Sequence, residues 1–487
     1  MRKVILAASA MLIASPVWAA DQAGQDATPS PTKALPPVAA AAAASASATA
    51  QDAQPLTDAE RAQAIQDLQE LRARIGALES RLGVSPPPPV QYTPAGPKRA
   101  KDHNLELYGF AQIDAIQDFK RVNPDWDATL RPSRIPTAEG QFGGDGQSVF
   151  SVRQSRLGAK ATGIVAGKPY EAKFEFDLYG TGVDAGQTTF RLRHAYASWG
   201  PFLAGQTNSL FMDGDVFPNV IDYWGPTGMV FVRTPQIRWT FLDRNGWTAA
   251  VALEHPSDDI DPGKIRLIDE NVAANIQSDE QLPDLTAAVR YGGDWGHVRV
   301  AGILRKIGYE TRGTDGNEPD GHQTGWGINA TSAIKISLAT ARLGIVYGRG
   351  IATYMNDGGM DLAPAIGTIL EPPNIILVPR AEAVKLLGMM AYVDLQWSKK
   401  WSSSVGYSFT KVDNTNFQDA TAYHKGQYAS ANLLWTPADQ VMTGAELLWG
   451  KRTDNDGESG TDLRLQYTFK WSFSSKNIWD VVGDLAD

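Results

Sequence analysis

The sequence predicts an all-β membrane protein: a transmembrane antiparallel β-barrel of about 16 strands with an N-terminal periplasmic coiled-coil helix. Three observations carry that reading. In Leu463 to Phe473, Leu463, Leu465, Tyr467, Phe469, Trp471 and Phe473 alternate without a break with Arg464, Gln466, Thr468, Lys470 and Ser472, giving one apolar, largely aromatic face and one polar face. Six large apolar residues ending in aromatics suit lipid and its headgroup boundary better than the interior of a soluble sandwich. At the other end, Arg2 and Lys3 precede an apolar stretch from Val4 to Ala14, and Val17-Trp18-Ala19 offers small residues at a cleavage point, which together read as a secretory signal. Finally, no later run of about 18 apolar residues provides a spanning helix.

The elements follow in order. Residues 1–19 are the expected signal peptide, cleaved after Ala19. Residues 20–55 are Ala, Pro, Ser and Gln with few large apolar groups, so burial cannot offset ordering and a disordered linker is expected. In 56–83, Thr57 and Glu60 form a capping box, and Ala64, Leu68, Leu71, Ile75, Leu78 and Leu82 then recur at spacings of four and three. The seam is narrow and its flanks are charged (Glu70, Arg72, Arg74, Glu79, Arg81), which favours an oligomeric coil over a helix lying on the barrel. So short a helix is marginal alone, and a barrel that tethers three copies would raise its effective concentration. Residues 84–103 form a spacer stiffened by Pro86 to Pro89. From 104 to 473, aromatic and β-branched segments of roughly ten residues alternate with Gly, Asp, Asn and Pro clusters. The clearest segments include Phe150 to Ala161, Ala172 to Tyr179, Thr188 to Trp199, Phe231 to Phe241, Val298 to Tyr309 and Tyr428 to Trp435. A barrel of this size encloses an aqueous lumen. With no cysteine in the chain, its stability rests on the sheet rather than on disulfides.

Strand parity assigns the lumen. Phe190, Leu192 and Tyr196 set a lipid face that leaves Arg191 and Arg193 inward. The same argument turns Arg238, Arg290, Arg299 and Arg305 inward, since charge on the lipid face at mid-membrane costs about 2 to 4 kcal/mol. Arg153 and Arg156 have opposite parity and both reach the lumen only across a bulge. The alternative for any one arginine is pairing with an interior carboxylate such as Glu175 or Asp177. Acid is concentrated elsewhere: Glu254 to Asp284 holds nine carboxylates and two basic residues, so the net charge of −9 says little about the pore. Guanidinium groups offer forked donors matched to carboxylates, and a row of them forms an anion path. Between two strands, Asn208 to Gly228 (NSLFMDGDVFPNVIDYWGPTG) is long, partly apolar, and acidic at Asp213, Asp215 and Asp222. Loops this long are usually functional. It is expected to fold into the lumen opposite the arginines and set an acidic face against a basic wall; the alternative is a flap over a neighbouring subunit.

The blocks Arg121 to Pro136 (RVNPDWDATLRPSRIP), Phe142 to Lys160 (FGGDGQSVFSVRQSRLGAK), and TNSLFMDGDVFPN with YWGPTGMVFVR in Gly205 to Trp239 resemble the DcaP-like outer-membrane porins. The likeness extends over about Thr57 to Phe473. It implies a trimeric, sixteen-stranded barrel with a periplasmic coiled coil that takes up small dicarboxylic acids, including aromatic ones. It also implies that Arg153, Arg156, Arg191, Arg193, Arg233 and Arg238 stand near the constriction. The expected partners are two further copies of the chain, outer-membrane lipid with lipopolysaccharide, and the barrel-assembly machinery. The chain departs from the family at 474–487, which extends beyond the aromatic Phe473 at which such barrels normally end.

Other functions fit less well. The six histidines (His103, His194, His255, His297, His322, His424) suggest no nucleophile with a base in reach, and His194 shares the lipid-facing parity of its strand. No cofactor or metal is called for; Asp213-Gly214-Asp215 reads as loop carboxylates. No basic tail or stacking platform suggests nucleic acid. A sugar-selective or general-diffusion pore, and an envelope tether acting through the coil, remain the rivals.

Overall fold

A computed structural model describes residues 103–476 except 315, 372 and 373. The signal peptide, linker, coiled coil and spacer, and residues 477–487 of the C-terminal extension, lie outside the described residues. The strands are β1 (His103–Asp118), β2 (Gln147–Ser151), β3 (Arg156–Val165), β4 (Lys168–Tyr179), β5 (Thr188–Trp199), β6 (Phe202–Asn208), β7 (Arg233–Arg244), β8 (Trp247–Glu254), β9 (Ile276–Ser278) and β10 (Asp284–Gly293). They continue with β11 (Gly296–Thr311), β12 (Gly321–Ile336), β13 (Ala339–Arg349), β14 (Leu362–Glu371), β15 (Asn374–Ala383), β16 (Lys385–Gln396), β17 (Trp401–Asp413), β18 (Tyr423–Ala438), β19 (Val441–Asp454) and β20 (Ser459–Ser474).

Each wall strand pairs antiparallel with its neighbour, and β20 returns to β1 from Tyr108↔Ser474 to Asp118↔Arg464, closing the sheet. β2 and β3 are two halves of one wall strand, both paired with β1. β9 only pairs beside the end of β11, beyond β10, and β14–β15 is a separate hairpin, so the wall is an all-β antiparallel closed barrel of 16 strands. Closure leaves no unpaired edge, as lipid requires. The connections at one end are tight, with positive φ at Ala166 and Gly167 and at Asn245 and Gly246, as two-residue hairpins of this hand demand. Those at the other end are long and include 209–232, 255–283 and 350–384. The chain enters at His103 and leaves at Ser474 on the side of the short turns, which by the usual asymmetry of such barrels is periplasmic.

The outer surface is apolar: Phe150, Phe190 and Ile237 are among many large hydrophobic residues left exposed. In water such a surface would aggregate, whereas in a bilayer it is the lipid face. The buried apolar residues lie inside the barrel, where Leu210, Phe211 and Met212 cluster with Ile351, Tyr354 and Met355.

Two irregularities alter the parity argument. Between Ser151 and Arg156 the chain spends four residues against three of β1, since Asp114 pairs with Ser151 and Phe110 with Arg156. The extra residue lets Arg153 and Arg156 both face inward, as a bulge would. In β5 the register slips between Glu175↔His194 and Phe176↔Leu192. Beyond that slip parity reverses, so His194 and Tyr196 point inward, where Nδ1 of His194 lies 3.0 Å from Thr207 Oγ1 and Tyr196 donates to Glu171 at 2.5 Å. The lipid-facing reading of both residues is corrected.

Arg305 is also inward, but it lies on no anion path. It is fully buried and ion-paired with Asp258 (2.8 Å), Asp284 (2.9 Å) and Asp361 (3.1 Å), tying loops 255–283 and 350–384 to the wall. Burial, with Asp361 and Asp284 nearby, pushes the Asp258 carboxyl up to about 8 against the pull of Arg305. Between its ordinary 3.8 and about 8, the folded protein therefore holds a proton on Asp258 that the unfolded chain has lost. The contribution to stability falls as pH rises across that window and levels off above it. Amide exchange across 255–283, corrected for intrinsic rates, is expected to show less protection at pH 8.5 than at pH 5.5. Asp258→Asn should flatten that difference, and an unchanged pH dependence in the variant would refute the assignment.

Candidate functional site

Residues 209–232 turn inward from the ends of β6 and β7 and bond to residues of the inner wall. The amide of Leu210 donates to Glu254 (2.7 Å), Asn329 donates to the Phe211 carbonyl (2.9 Å), and Arg299 and Arg342 hold the carbonyls of Leu210 and Asp215. Farther along, Asn219 N donates to Asp394 (3.1 Å) and Ile221 N to Glu446 (2.5 Å). Gly228 touches the wall so closely that an added Cβ would lie 2.2 Å from the Met389 carbonyl and 2.3 Å from that of Phe409. These are lumen-side contacts, not those of an external flap.

Two of the three carboxylates of the loop are buried and hydrogen-bonded. Asp213 is buried between His297 Nε2 (2.8 Å) and Thr331 Oγ1 (2.6 Å). Asp222 is buried too, accepting from Thr129 Oγ1 (2.8 Å), Leu130 N (3.0 Å) and Gly225 N (3.1 Å). Both fasten the loop, because a carboxylate can satisfy several donors at once where backbone crosses a lumen. Asp215 is 66 % exposed and paired with Arg290 at 2.9 Å. Asp213, Asp215 and His297 bring ligand atoms within 4.8 Å of one another, but Arg290 on Asp215 and the charge of Arg299 acting on Asp213 oppose a cation there. If Asp222 is a fastening, Asp222→Ala should give a larger and noisier single-channel conductance than wild type; identical traces would show that the loop does not depend on it.

Facing the loop is a cavity of about 390 Å³. Its charged lining is Arg156, Lys173, Arg193, Arg233 and Lys470 against Glu175 and Asp222, with both carboxylates buried. Arg193 is held by Glu175 (2.8 Å) and Asp177 (2.9 Å), and Lys173 lies 3.2 Å from Glu175. Tyr108 donates to Glu175 at 2.7 Å, and Tyr223 from the loop donates to Asp177. Arg156 approaches Glu175 only to 3.7 Å, and its Nε has no hydrogen-bond acceptor. Among the described residues Arg233 makes no ion pair, and its guanidinium lies 5.0 Å over the Phe231 ring. Lys470 lies 5.3 Å from the Phe110 ring, with no carboxylate bound.

Of the eight arginines predicted to line the pore, Arg156, Arg193 and Arg233 meet at this cavity. Arg191 stands behind it on Asp177 (2.9 Å). Arg153 is buried over Tyr179, at 4.1 Å, near Asp127. Arg238 donates to Gln236 and to the Asn208 carbonyl. Arg290 and Arg299 lie elsewhere on the wall, engaged with Asp215 and Leu210. These five stand outside this cavity, each beside a local acceptor or ring. Lys173, His194 and Lys470 were missed. Lys173 shares the parity of Glu175, and Lys470 sits on the polar face of the last strand, so both were readable had lysine been weighed with arginine.

The family model described as DcaP outer membrane protein matches residues 91–356, more than half of the chain. The chain belongs to the DcaP outer membrane protein family. It is a channel-forming protein of the outer membrane of a Gram-negative bacterium, not an enzyme. Among solved structures it is similar to the outer membrane channel DcaP of Acinetobacter baumannii, at 22% identity and a TM-score of 0.62 over 77% of this chain and 98% of that one. It is also similar to an anion-selective porin from Comamonas acidovorans (10% identity, TM-score 0.49, 76% of this chain and 100% of that one). OmpT of Vibrio cholerae matches at 10% identity and a TM-score of 0.46, over 76% and 98% of the two chains. No curated protein matches the chain.

Proposed function

We propose that this DcaP family member is an anion-selective channel for passive uptake of small dicarboxylic acids, and that residues 209–228 form its constriction. One observation carries the reading: the cavity beside the loop is lined by five cationic side chains against two buried carboxylates. The mixed charge also keeps any single contact weak enough for release. Two carboxylates on one solute could engage Arg156 and Arg233 together. The working form in this proposal is a homotrimer, with residues 56–83 as a periplasmic coiled coil.

The test is the reversal potential of the purified protein in a planar bilayer under a salt gradient, followed by succinate or phthalate. Anion selectivity with transient blocks by the dicarboxylate supports the reading. A cation-selective or non-conducting barrel would overturn it and favour general diffusion or an envelope tether.

A further inference from the structure

The outward face of the barrel carries a charge pattern unrelated to the lumen. At the end of the long loops, the lipid-facing positions of five successive wall strands are Arg349 on β13, Lys385 on β16, Lys411 on β17, Lys425 on β18 and Lys451 on β19. Their outward direction follows from parity with Ile345 and Tyr347, Met389, Val405 and Tyr407, Leu433, and Leu447, all exposed. The register puts them at one height: Arg349 opposes Lys385, Lys411 opposes Lys425, and Lys451 opposes Gln427 two residues from Lys425.

Among the described residues none of the five makes a salt bridge. The outward carboxylate of Asp413 faces Lys385 across the ladder without pairing with it. Aromatic rings lie just below, toward mid-membrane: Tyr347, Tyr407, Phe409 and Trp449, with Lys425 5.4 Å over Phe409. Ten residues down β18 stands Trp435, about 24 Å lower for a strand tilted about 45°, which matches the apolar band of such barrels. The cations therefore sit at the outer headgroup level, above an aromatic girdle. On β1, β4, β5, β8 and β10 the corresponding outward residues are Gln117, Leu178, Phe190, Leu253 and Leu285, none of them basic, and the outward Lys306 of β11 is taken up by Gln281 at 2.6 Å.

We propose that this arc, Arg349, Lys385, Lys411, Lys425 and Lys451, is a docking surface for the phosphorylated headgroup of the outer-leaflet glycolipid, lipopolysaccharide. Five unpaired cations in register complement a headgroup with several phosphates, each able to accept charge-assisted hydrogen bonds, while the apolar face below meets its acyl chains. The inference is independent of the solute proposed for the lumen.

The test uses the purified, folded full-length protein and its thermal unfolding, followed by heat-modifiable mobility. Added lipopolysaccharide is expected to raise the unfolding temperature of wild type by several degrees. The variant with Lys385, Lys411, Lys425 and Lys451 all changed to Gln should lose that shift, and the same four changed to Arg should keep it. Should the Gln variant not fold, Lys425→Gln with Lys451→Gln is expected to lose about half of the shift. Inorganic phosphate should give none. Equal shifts in wild type and the Gln variants, or phosphatidylglycerol vesicles acting as well as lipopolysaccharide, would overturn the proposal.

Discussion

Replacing Arg233 and Lys470 by glutamine should lower the anion-to-cation permeability ratio of the channel roughly tenfold while leaving the barrel folded. The choice of pair follows from what each cation touches. Neither group is bound to a carboxylate, so neutralising both takes the cavity from five cations against two carboxylates to three against two without leaving a buried anion exposed. A unit charge about 8 Å from a permeating ion is worth about 2 kcal/mol at a dielectric of about 20. Water and salt in the lumen reduce two such charges to about 1.4 kcal/mol, which is tenfold. Changing Arg191 and Arg193 to alanine is a less clean experiment, because those two side chains neutralise Asp177 and Glu175 and their loss would disturb the wall as well as the field. Reversal potentials under a salt gradient decide the matter: unchanged selectivity in the Arg233 and Lys470 variant would remove this cavity from the ion path.

The barrel was legible because lipid enforces the alternation that strands already have. Leu463 to Phe473 reads as a strand on sight, and β20 occupies it with its aromatic residues outward. Parity failed where the ladder slips. His194 and Tyr196 follow a bulge in β5 that no residue type announces, whereas the one before Arg156 was inferable from two arginines of opposite parity. The charge of the lumen was legible only in sign. Which arginines stay available depends on partners far away in sequence: Asp215 claims Arg290 across 75 positions, and Arg305 gathers Asp258, Asp284 and Asp361 from three segments. The partners of the acidic loop were hidden for the same reason. Asp213 and Asp222 look like lumen charges in a sequence, but hydrogen bonds to Thr331 and Thr129 turn them into fastenings.

The largest loss of stability is expected from Arg305→Met. Methionine fills similar space, so the cavity term is small, but Asp258, Asp284 and Asp361 would lose the guanidinium they share. Removing one partner of a buried pair costs about 3 to 5 kcal/mol because a buried charge is left uncompensated, and here three carboxylates share one cation. The remaining contacts, Tyr354 and Thr353 hydroxyls donating to Asp284 (2.8 Å) and Asp361 (2.7 Å), stabilise the carboxylates only in part. Two features separate this from a generic core defect. The loss should shrink at pH 5, where Asp258, pushed up to about 8 even with Arg305 present, carries a proton. Adding Asp258→Asn to Arg305→Met should likewise recover part of the stability at pH 8, because one of the opposed charges is gone. Urea unfolding of the four forms at pH 5 and pH 8 gives the full comparison. Additive losses with no pH dependence would mean that Arg305 acts by packing alone and that the three carboxylates are held apart by something other than its charge.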